Sequence, residues 1–487
     1  MTLDLRDTEL LTQEAYIGGR WQGAQSGETL IVRNPATGTL IGTVPRMGAS
    51  ETRQAISSAK LAQPGWQALT AKDRSRRLRK WHDLMIDHEE DLAAILTAEQ
   101  GKPLSEALGE IRYAASYVEW FSEEAKRTYG EVIPSHKSGA NIIVTQEPVG
   151  VVAALTPWNF PSAMITRKVA PALAAGCTII VKPASATPLS ALALCKLAER
   201  AGIPAGVFSV ITGQASAIAG EMTENPDIRK ISFTGSTEIG KRLMAESAGT
   251  LKRLSLELGG NAPFIVFEDA DIDRAVEGAM ASKFRNSGQT CVCTNRFLVH
   301  DNIYDRFSKK LNAAISRLTV GPGSTAGVTQ GPLIDEQAVR KVEQHIADAL
   351  GKGAILLRGG QRHRLGGTFF EPTLLGNVPL TAELARDETF GPVAPLFRFR
   401  TEEQAVLMAN DTDFGLAAYV FTKDLGRAFR MSAALQYGMV GINDGLISTE
   451  VAPFGGIKAS GFGREGSRHG ISEYLQLKYT LMGGCAA

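Results

Sequence analysis

VGVVAALTPWNFPSAMITRKVAPALAAGCTIIVKPASATPLSALALCKLAERAGIPAGVFSVIT, residues 149–212, decides the fold. It contains three short β-rich runs, VGVVAAL, CTIIVK and FSVIT, and the segment Ser190 to Ala201 with helical periodicity. Strands alternating with helices predict a parallel sheet covered by helices. The pattern extends in both directions: NIIVTQ lies upstream, KISFT and APFIVF downstream, with a further helix over Ile239 to Ala248. A second alternation runs from Arg296 to Val440, where RFLVH, AILLR, AYVFT and VGIN read as strands. Two α/β domains follow from this.

The N-terminal third is helical by pattern. Ser50 is placed to cap a helix through ETRQAISSAKLAQ, and Thr70 to Glu99 reads as one long amphipathic helix stopped by Gly101 and Pro103. Lys102 to Tyr129 reads as another, with Leu104, Leu108, Ile111, Ala115 and Val118 on one face. Two pieces fit neither domain: a β-hairpin over Gly130 to Gly150, and a C-terminal strand, EYLQLKYTL, over Glu473 to Leu481. A lone strand must pair, here with the hairpin or with another subunit.

Composition narrows the function. In 487 residues, 52 Lys+Arg against 51 Asp+Glu leave a net charge of +1, which argues against a dedicated nucleic-acid binder. Five cysteines make no disulfide framework. The acidic start MTLDLRDTELL lacks the basic and apolar regions of a signal peptide. The longest apolar run, Val169 to Val181, is too short to cross a bilayer of about 30 Å as a helix. The expectation is a cytoplasmic protein that contacts no membrane.

Two glycine motifs mislead. Gly461–Gly466, GFGREG, matches the dinucleotide fingerprint but sits near the chain's end, where only a strand follows. Gly235–Arg242, GSTEIGKR, nearly matches the P-loop, but Arg242 replaces the hydroxyl that would bind magnesium. A strand, a glycine turn and a helix start still suit a pyrophosphate.

Three side chains carry candidate chemistry. Cys291, in FRNSGQTCVCTNR, has polar neighbours, and the nearby Arg285 and Arg296 should favour its thiolate. No ligand set with metal spacing accompanies Cys291 and Cys293, and no histidine stands near as a base. Glu257 lies in the apolar LSLELGGNAPF, where burial should raise its pKa and suit it to general-base work; the alternative is a turn cap. Asn159, in TPWNFP, could donate its amide to an oxyanion or simply cap a helix started by Pro161.

TPWNFP (156–161), VKPAS (181–185), FTGSTEIG (233–240), LELGGNAPFIV (256–266), GQTC (288–291), ETFGPV (388–393) and PFGGIKASGFGREG (453–466), in this order, resemble the aldehyde dehydrogenase superfamily. KFRNSGQTCVCTNR, MITRK and EVAPFGGIKASG look like its bacterial NADP-dependent succinate-semialdehyde dehydrogenase subfamily. The resemblance implies a Rossmann-type cofactor domain (1–128 and 150–258), an α/β catalytic domain (259–457) and a small β oligomerisation element (129–149 and 470–487). It implies a homotetramer or homodimer.

It also implies roles. Cys291 attacks the aldehyde, its N–H and the Asn159 amide hold the oxyanion, and Glu257 activates water against the thioester. Thr156, Trp158, Lys182, Ser185, Gly235, Ser236, Glu388 and Phe390 bind the cofactor. Many NAD-using relatives carry Glu where this chain has Ser185, so NADP is expected, with NAD serving less well. Arg167, Arg285 and Ser448 would grip the distal carboxylate of the substrate. Arg167 lies eight residues beyond Asn159, on a similar side of a helix. Cys293 could form a reversible disulfide with Cys291. The implied reaction oxidises succinate semialdehyde, glutarate semialdehyde or another short ω-carboxy aldehyde; a cofactor-independent thiol esterase is the remote alternative.

Overall fold

The computed structural model describes residues 3–484, so Cys485 and the last three residues of the expected oligomerisation element lie outside the described residues. Among the described residues two large sheets stand side by side. The first has eight strands in the order Arg20–Gln22, Ala15–Ile17, Phe208–Val210, Thr178–Lys182, Val151–Leu155, Ile228–Thr234, Arg253–Glu257 and Gly461–Phe462. Its five central strands are parallel. The second sheet has seven strands, ordered Ile355–Arg358, Thr373–Gly376, Val393–Phe399, Thr294–His300, Ala262–Val266, Ala417–Phe421 and Met439–Ile442.

Chain order creates a crevice in the first sheet. From Val151–Leu155 the chain steps outward to Thr178–Lys182 and Phe208–Val210, then returns to Ile228–Thr234 on the other side. The loops after Leu155 and Thr234 therefore diverge, leaving an opening at the carboxyl ends of the strands, the place where open α/β sheets receive ligands. Between these strands runs the helix Ala163–Ala175, all of whose residues are buried. The apolar run Val169 to Val181 divides at Gly176, where φ is +96°, into the end of this helix and the next strand.

Several local expectations change. The N-terminal third is not all helical: Ala15–Ile17 and Arg20–Gln22 form a hairpin through Gly18-Gly19, both at positive φ, and Thr29–Arg33 pairs with Leu40–Pro45. A Gly-Gly pair is a hairpin signal. Ser50 lies inside the first turn of the helix Ala49–Gln67, whose N-cap is Gly48; the Gly48 N–H donates to Glu51 Oε2 at 3.0 Å. The expected long helix breaks at His88 into Ala71–Asp87 and Glu89–Gln100. His88 leaves helical geometry, its Nδ1 pairs with the Leu84 carbonyl, and three acids open the second helix. After Gly466 a six-residue helix, Ser467–Ser472, precedes the tail strand, and Gly461–Phe462 is an antiparallel edge. GFGREG therefore has no dinucleotide-binding context.

The two sheets meet through a short link. Arg253–Glu257 ends the first run of parallel strands, Leu258–Asn261 crosses over, and Ala262–Val266 begins the second sheet. The carboxyl edge of one sheet thus faces the amino edge of the other. The tail strand Leu475–Gly483 pairs antiparallel with Ala140–Pro148, which pairs with Glu131–Pro134. Val132, Leu477 and Tyr479 on this ribbon are 77%, 74% and 58% exposed. Among the described residues no helix is long and apolar enough to cross a membrane.

Ile471, Tyr474 and Leu475 belong to the core, so an informative truncation must fall after Leu475. Deleting 476–487 should leave a folded chain that sediments as a smaller particle than the full-length protein. An unchanged sedimentation coefficient would show that the ribbon holds no second copy.

Candidate active site

The cleft between the sheets has a volume of about 390 Å³. Trp158, Asn159, Gly235, Ser236, Glu388 and Phe390 line it with Cys291. Sequence reasoning missed the wall that Ile334, Gln337 and Lys341 add, because the segment entering the helix Glu336–Gly351 carries no motif.

Cys291 follows a loop that few sequences can adopt. Asn286, Ser287 and Gly288 are consecutive left-handed residues, at φ +51°, +55° and +77°. A Cβ at Gly288 would come within 2.1 Å of the Gly391 carbonyl. Asn tolerates this region; Ser there stores on the order of 1–3 kcal/mol. Hydrogen bonds hold the shape: Asn286 N–H donates to Glu106 Oε2 at 2.8 Å, and Ser287 Oγ donates to the Gly331 carbonyl at 2.9 Å.

The Cys291 thiol is pushed up to about 12, chiefly by burial; Glu388 and Glu257 add to this, while Arg167 opposes it. The two arginines expected to favour thiolate are engaged elsewhere. Arg296 is spent on the carbonyls of Asn261, Met408 and Ala409 and on the Tyr437 hydroxyl. Arg285 lies over the Phe160 ring, 5.2 Å from its centroid. Cys293 is buried beneath the loop, its thiol donating to the Lys283 carbonyl at 3.5 Å.

Asn159 precedes the helix Ala163–Ala175 and does not cap it. Arg167 is therefore not simply two helical turns from Asn159. One Asn159 Nδ2 hydrogen is donated to the Gln289 carbonyl at 3.1 Å, which leaves the second free. Glu388 receives the Gly260 N–H at 3.3 Å, and burial raises its pKa to about 7. Trp158 and Phe390 meet edge to face at 5.5 Å, with Phe390 at φ +54°.

Glu257 ends its strand, and its carbonyl receives the Gly235 N–H at 3.0 Å. Its carboxyl is buried with neither oxygen hydrogen-bonded. Oε1 lies against Gly455, where a Cβ would sit 2.9 Å away. Burial first, then the charge of Glu465, raises its pKa well above the ordinary carboxylate value; Arg167, Lys168 and Arg464 pull the other way. Glu257 is not among the residues lining the cleft.

The expected substrate residues also stand outside this lining. Arg167 is buried in an ion pair with Glu465 and lies 4.0 Å from the Phe454 ring centroid; its Nη2 has no hydrogen-bond partner. Lys168 shares Glu465. Two adjacent cations inside an apolar helix demand a buried counter-charge. That requirement was the signal for Glu465, which hid inside GFGREG. Ser448 is half-buried. Thr156, Lys182 and Ser185 continue along the carboxyl edge: Thr156 N–H donates to the Lys182 carbonyl at 3.2 Å, and Lys182 Nζ is 3.5 Å from Ser185 Oγ. Burial alone lowers the Lys182 pKa, to about 8. Among the described residues no group of three or more His, Cys, Asp or Glu side chains is placed to hold a metal.

The sequence model of the aldehyde dehydrogenase family matches residues 21–480. The chain is 63% identical to a glutarate-semialdehyde dehydrogenase of Pseudomonas aeruginosa, over 99% of this chain and all of that one. It is 61% identical to an NADP-named succinate-semialdehyde dehydrogenase of Escherichia coli, with the same coverage. The crystal structure of a succinate-semialdehyde dehydrogenase from Burkholderia pseudomallei superposes with a TM-score of 0.98 at 61% identity, covering 99% of this chain and all of that one.

A thiol with this pKa is protonated at rest. Iodoacetamide labelling of Cys291, without nucleotide, should quicken about tenfold per pH unit from pH 7 to 10. Peptide mass spectrometry reads the rate; levelling off below pH 9 would contradict the raised pKa.

Proposed function

The chain belongs to the aldehyde dehydrogenase family, and we propose that it oxidises succinate semialdehyde to succinate with NADP, through a thiohemiacetal and a thioester on Cys291. The observation that supports this most is the single cleft that joins the Cys291 thiol, the Asn159 amide and the Glu388 carboxyl at the carboxyl edge of a doubly wound sheet. Residues 1–128 and 150–258 form the cofactor domain, 259–457 the catalytic domain, and 129–149 with 470–487 the element that builds a homodimer or homotetramer. Free thiols suit the cytoplasm, where we place the enzyme.

The residues present fit NADP. Lys182 is a buried ammonium without a carboxylate counter-charge, beside a hydroxyl. A Glu in place of Ser185 would put a carboxylate near the 2′-phosphate, costing roughly 4 kcal/mol at 4 Å and an effective dielectric of about 20. Lys182 and Ser185 hold that phosphate. Gly235 turns the chain into the helix Thr237–Ser247, and the backbone N–H groups at the start of that helix, beginning at its cap Ser236, would face the pyrophosphate. Glu388 takes the nicotinamide ribose, with Phe390, Trp158 and Thr156 around the ring. When bound there, NADP would supply the hydride acceptor that turns a thiohemiacetal on Cys291 into a thioester.

The chain's own groups do the rest. Cys291 Sγ loses its proton to solvent in the cleft and bonds the aldehyde carbon, whose C=O electron pair moves onto the oxygen. The Cys291 N–H and the free Asn159 Nδ2 hydrogen receive the oxyanion. Glu257, whose dry seat beside Gly455 disfavours its charge, rotates toward the cleft, ionises there and takes a proton from the water that hydrolyses the thioester. The unpartnered Arg167 Nη2, with Arg285 and Ser448, binds the substrate's carboxylate by charge-assisted hydrogen bonds. The similarity to a glutarate-semialdehyde dehydrogenase supports a second reading, the longer substrate. One methylene is worth only about 1–3 kcal/mol.

A kcat/KM matrix of succinate semialdehyde, glutarate semialdehyde and an uncharged aldehyde against NAD and NADP tests the proposal. Ester turnover without nucleotide, and no aldehyde oxidation, would replace it with a thiol esterase. Arg285→Ala, which breaks no ion pair among the described residues, should raise KM for succinate semialdehyde at least tenfold and for the uncharged aldehyde less than threefold. Equal effects would remove Arg285 from the substrate site. Ser185→Glu should shift the NADP/NAD ratio of kcat/KM toward NAD by more than tenfold; an unmoved ratio would locate the 2′-phosphate elsewhere.

A further inference from the structure

Lys102 is 1% exposed and Glu110 3%, and the proposed chemistry gives neither a role. Burying a lysine is costly, and an apolar side chain would fill the same space. What distinguishes Lys102 is the recipient of its hydrogen bonds. Nζ donates to Glu110 Oε2 at 2.6 Å and to the backbone carbonyl of Asn159 at 2.8 Å, and it stands 3.8 Å from the Phe160 ring centroid. The other Glu110 oxygen receives the N–H groups of Ser162 and Ala163, at 2.9 and 3.2 Å, where the helix carrying Arg167 begins. The carboxylate thus serves a helix start that lacks a side-chain cap.

The same short stretch reaches the nucleophile loop. Gln100 Nε2 donates to Asn286 Oδ1 at 3.0 Å, and the Lys102 N–H donates to Gln100 Oε1 at 2.9 Å. Asn286 Nδ2 in turn donates to the Asn159 carbonyl at 3.0 Å and to the Gln289 carbonyl at 3.2 Å. The Asn159 side chain closes the circuit on Gln289. Asn159 is therefore held at both ends, its backbone by Lys102 and Asn286 and its amide by the loop that carries Cys291.

We infer that Lys102 is a positioning residue: through the Asn159 carbonyl it sets where the free Asn159 Nδ2 hydrogen stands relative to Cys291 Sγ. This rests on the reading of Asn159 as oxyanion donor. A donor that acts only in the transition state changes kcat and leaves ground-state binding alone. Misplacing or losing such a group costs on the order of 10²-fold.

The test is a kinetic double-mutant cycle on the full-length enzyme with NADP. Lys102→Met/Glu110→Gln removes both buried charges, and Lys102→Arg keeps the charge but moves the donor. The double variant should lose about 10- to 100-fold in kcat, with KM for the aldehyde and Kd for NADP within about threefold; Lys102→Arg should fall between it and the parent. In an Asn159→Ala background either change should cost less than about threefold more. Losses that multiply with that of Asn159→Ala, or a rise in KM at unchanged kcat, would overturn the inference. If the neutral pair does not fold, the Lys102→Arg cycle decides alone. Should Asn159→Ala by itself leave kcat intact, the oxyanion reading fails instead.

Discussion

Leu258–Asn261 is the constraint on which the site depends. It carries the chain from the last parallel strand of one sheet to the first strand of the other, and it does so without side chains at its middle. A Cβ on Gly260 would lie 2.6 Å from the Cys291 carbonyl, and one on Gly259 would lie 3.2 Å from Glu388 Oε2. Glycine at both places lets two backbones and a carboxyl share one narrow space. The edges of the two sheets are therefore pressed together, and groups far apart in sequence converge there. The crevice that β–α alternation opens in the first sheet becomes a cleft walled on both sides because the second sheet and its flanking segments abut it.

Much of this was legible beforehand. The fully buried parallel strands announce themselves as short apolar runs, and Gly101 ends a helix as glycine should, whereas Gly176, which ends another, lay unread inside the apolar run Val169 to Val181. Less legible was anything set by partners distant in the chain. Arg296 looked like a neighbour of the nucleophile because it lies five residues away, yet its guanidinium turns to the Met408 and Ala409 carbonyls. Local spacing says which residues are near in sequence, while the β-strand Thr294–His300 carries Arg296 away. Glu465 was hidden for the opposite reason: a spurious motif accounted for its neighbourhood. Lys102 carried a weaker signal, being a charged residue next to the glycine that ends a helix.

Buried charge is the theme that unites the interior. The balance of 52 cations and 51 anions conceals two desolvated sets, Lys102 with Glu110 and Arg167 with Lys168 and Glu465. Such sets are weak contributors to stability, since leaving one member unpaired costs about 3–5 kcal/mol while the pair itself gains little over apolar packing. Their value is geometric. Each joins a helix to a loop by charge-assisted hydrogen bonds. Glu465 also explains why the Glu257 carboxyl resists ionisation, since two carboxylates in one dry pocket disfavour each other's charge.

The ribbon formed by the tail strand has a consequence for synthesis. Ala140–Pro148 is made roughly 330 residues before Leu475–Gly483, the strand that covers its edge. At about 5–20 residues per second the growing chain waits roughly 20 to 70 s with that hydrogen-bonding edge unpaired. During this interval several nascent chains on one messenger present identical open edges to each other. The polar and charged side chains Asn141, Thr145, Gln146 and Glu147 along it, and the short partner Glu131–Pro134 on its other side, are what the sequence offers against premature pairing.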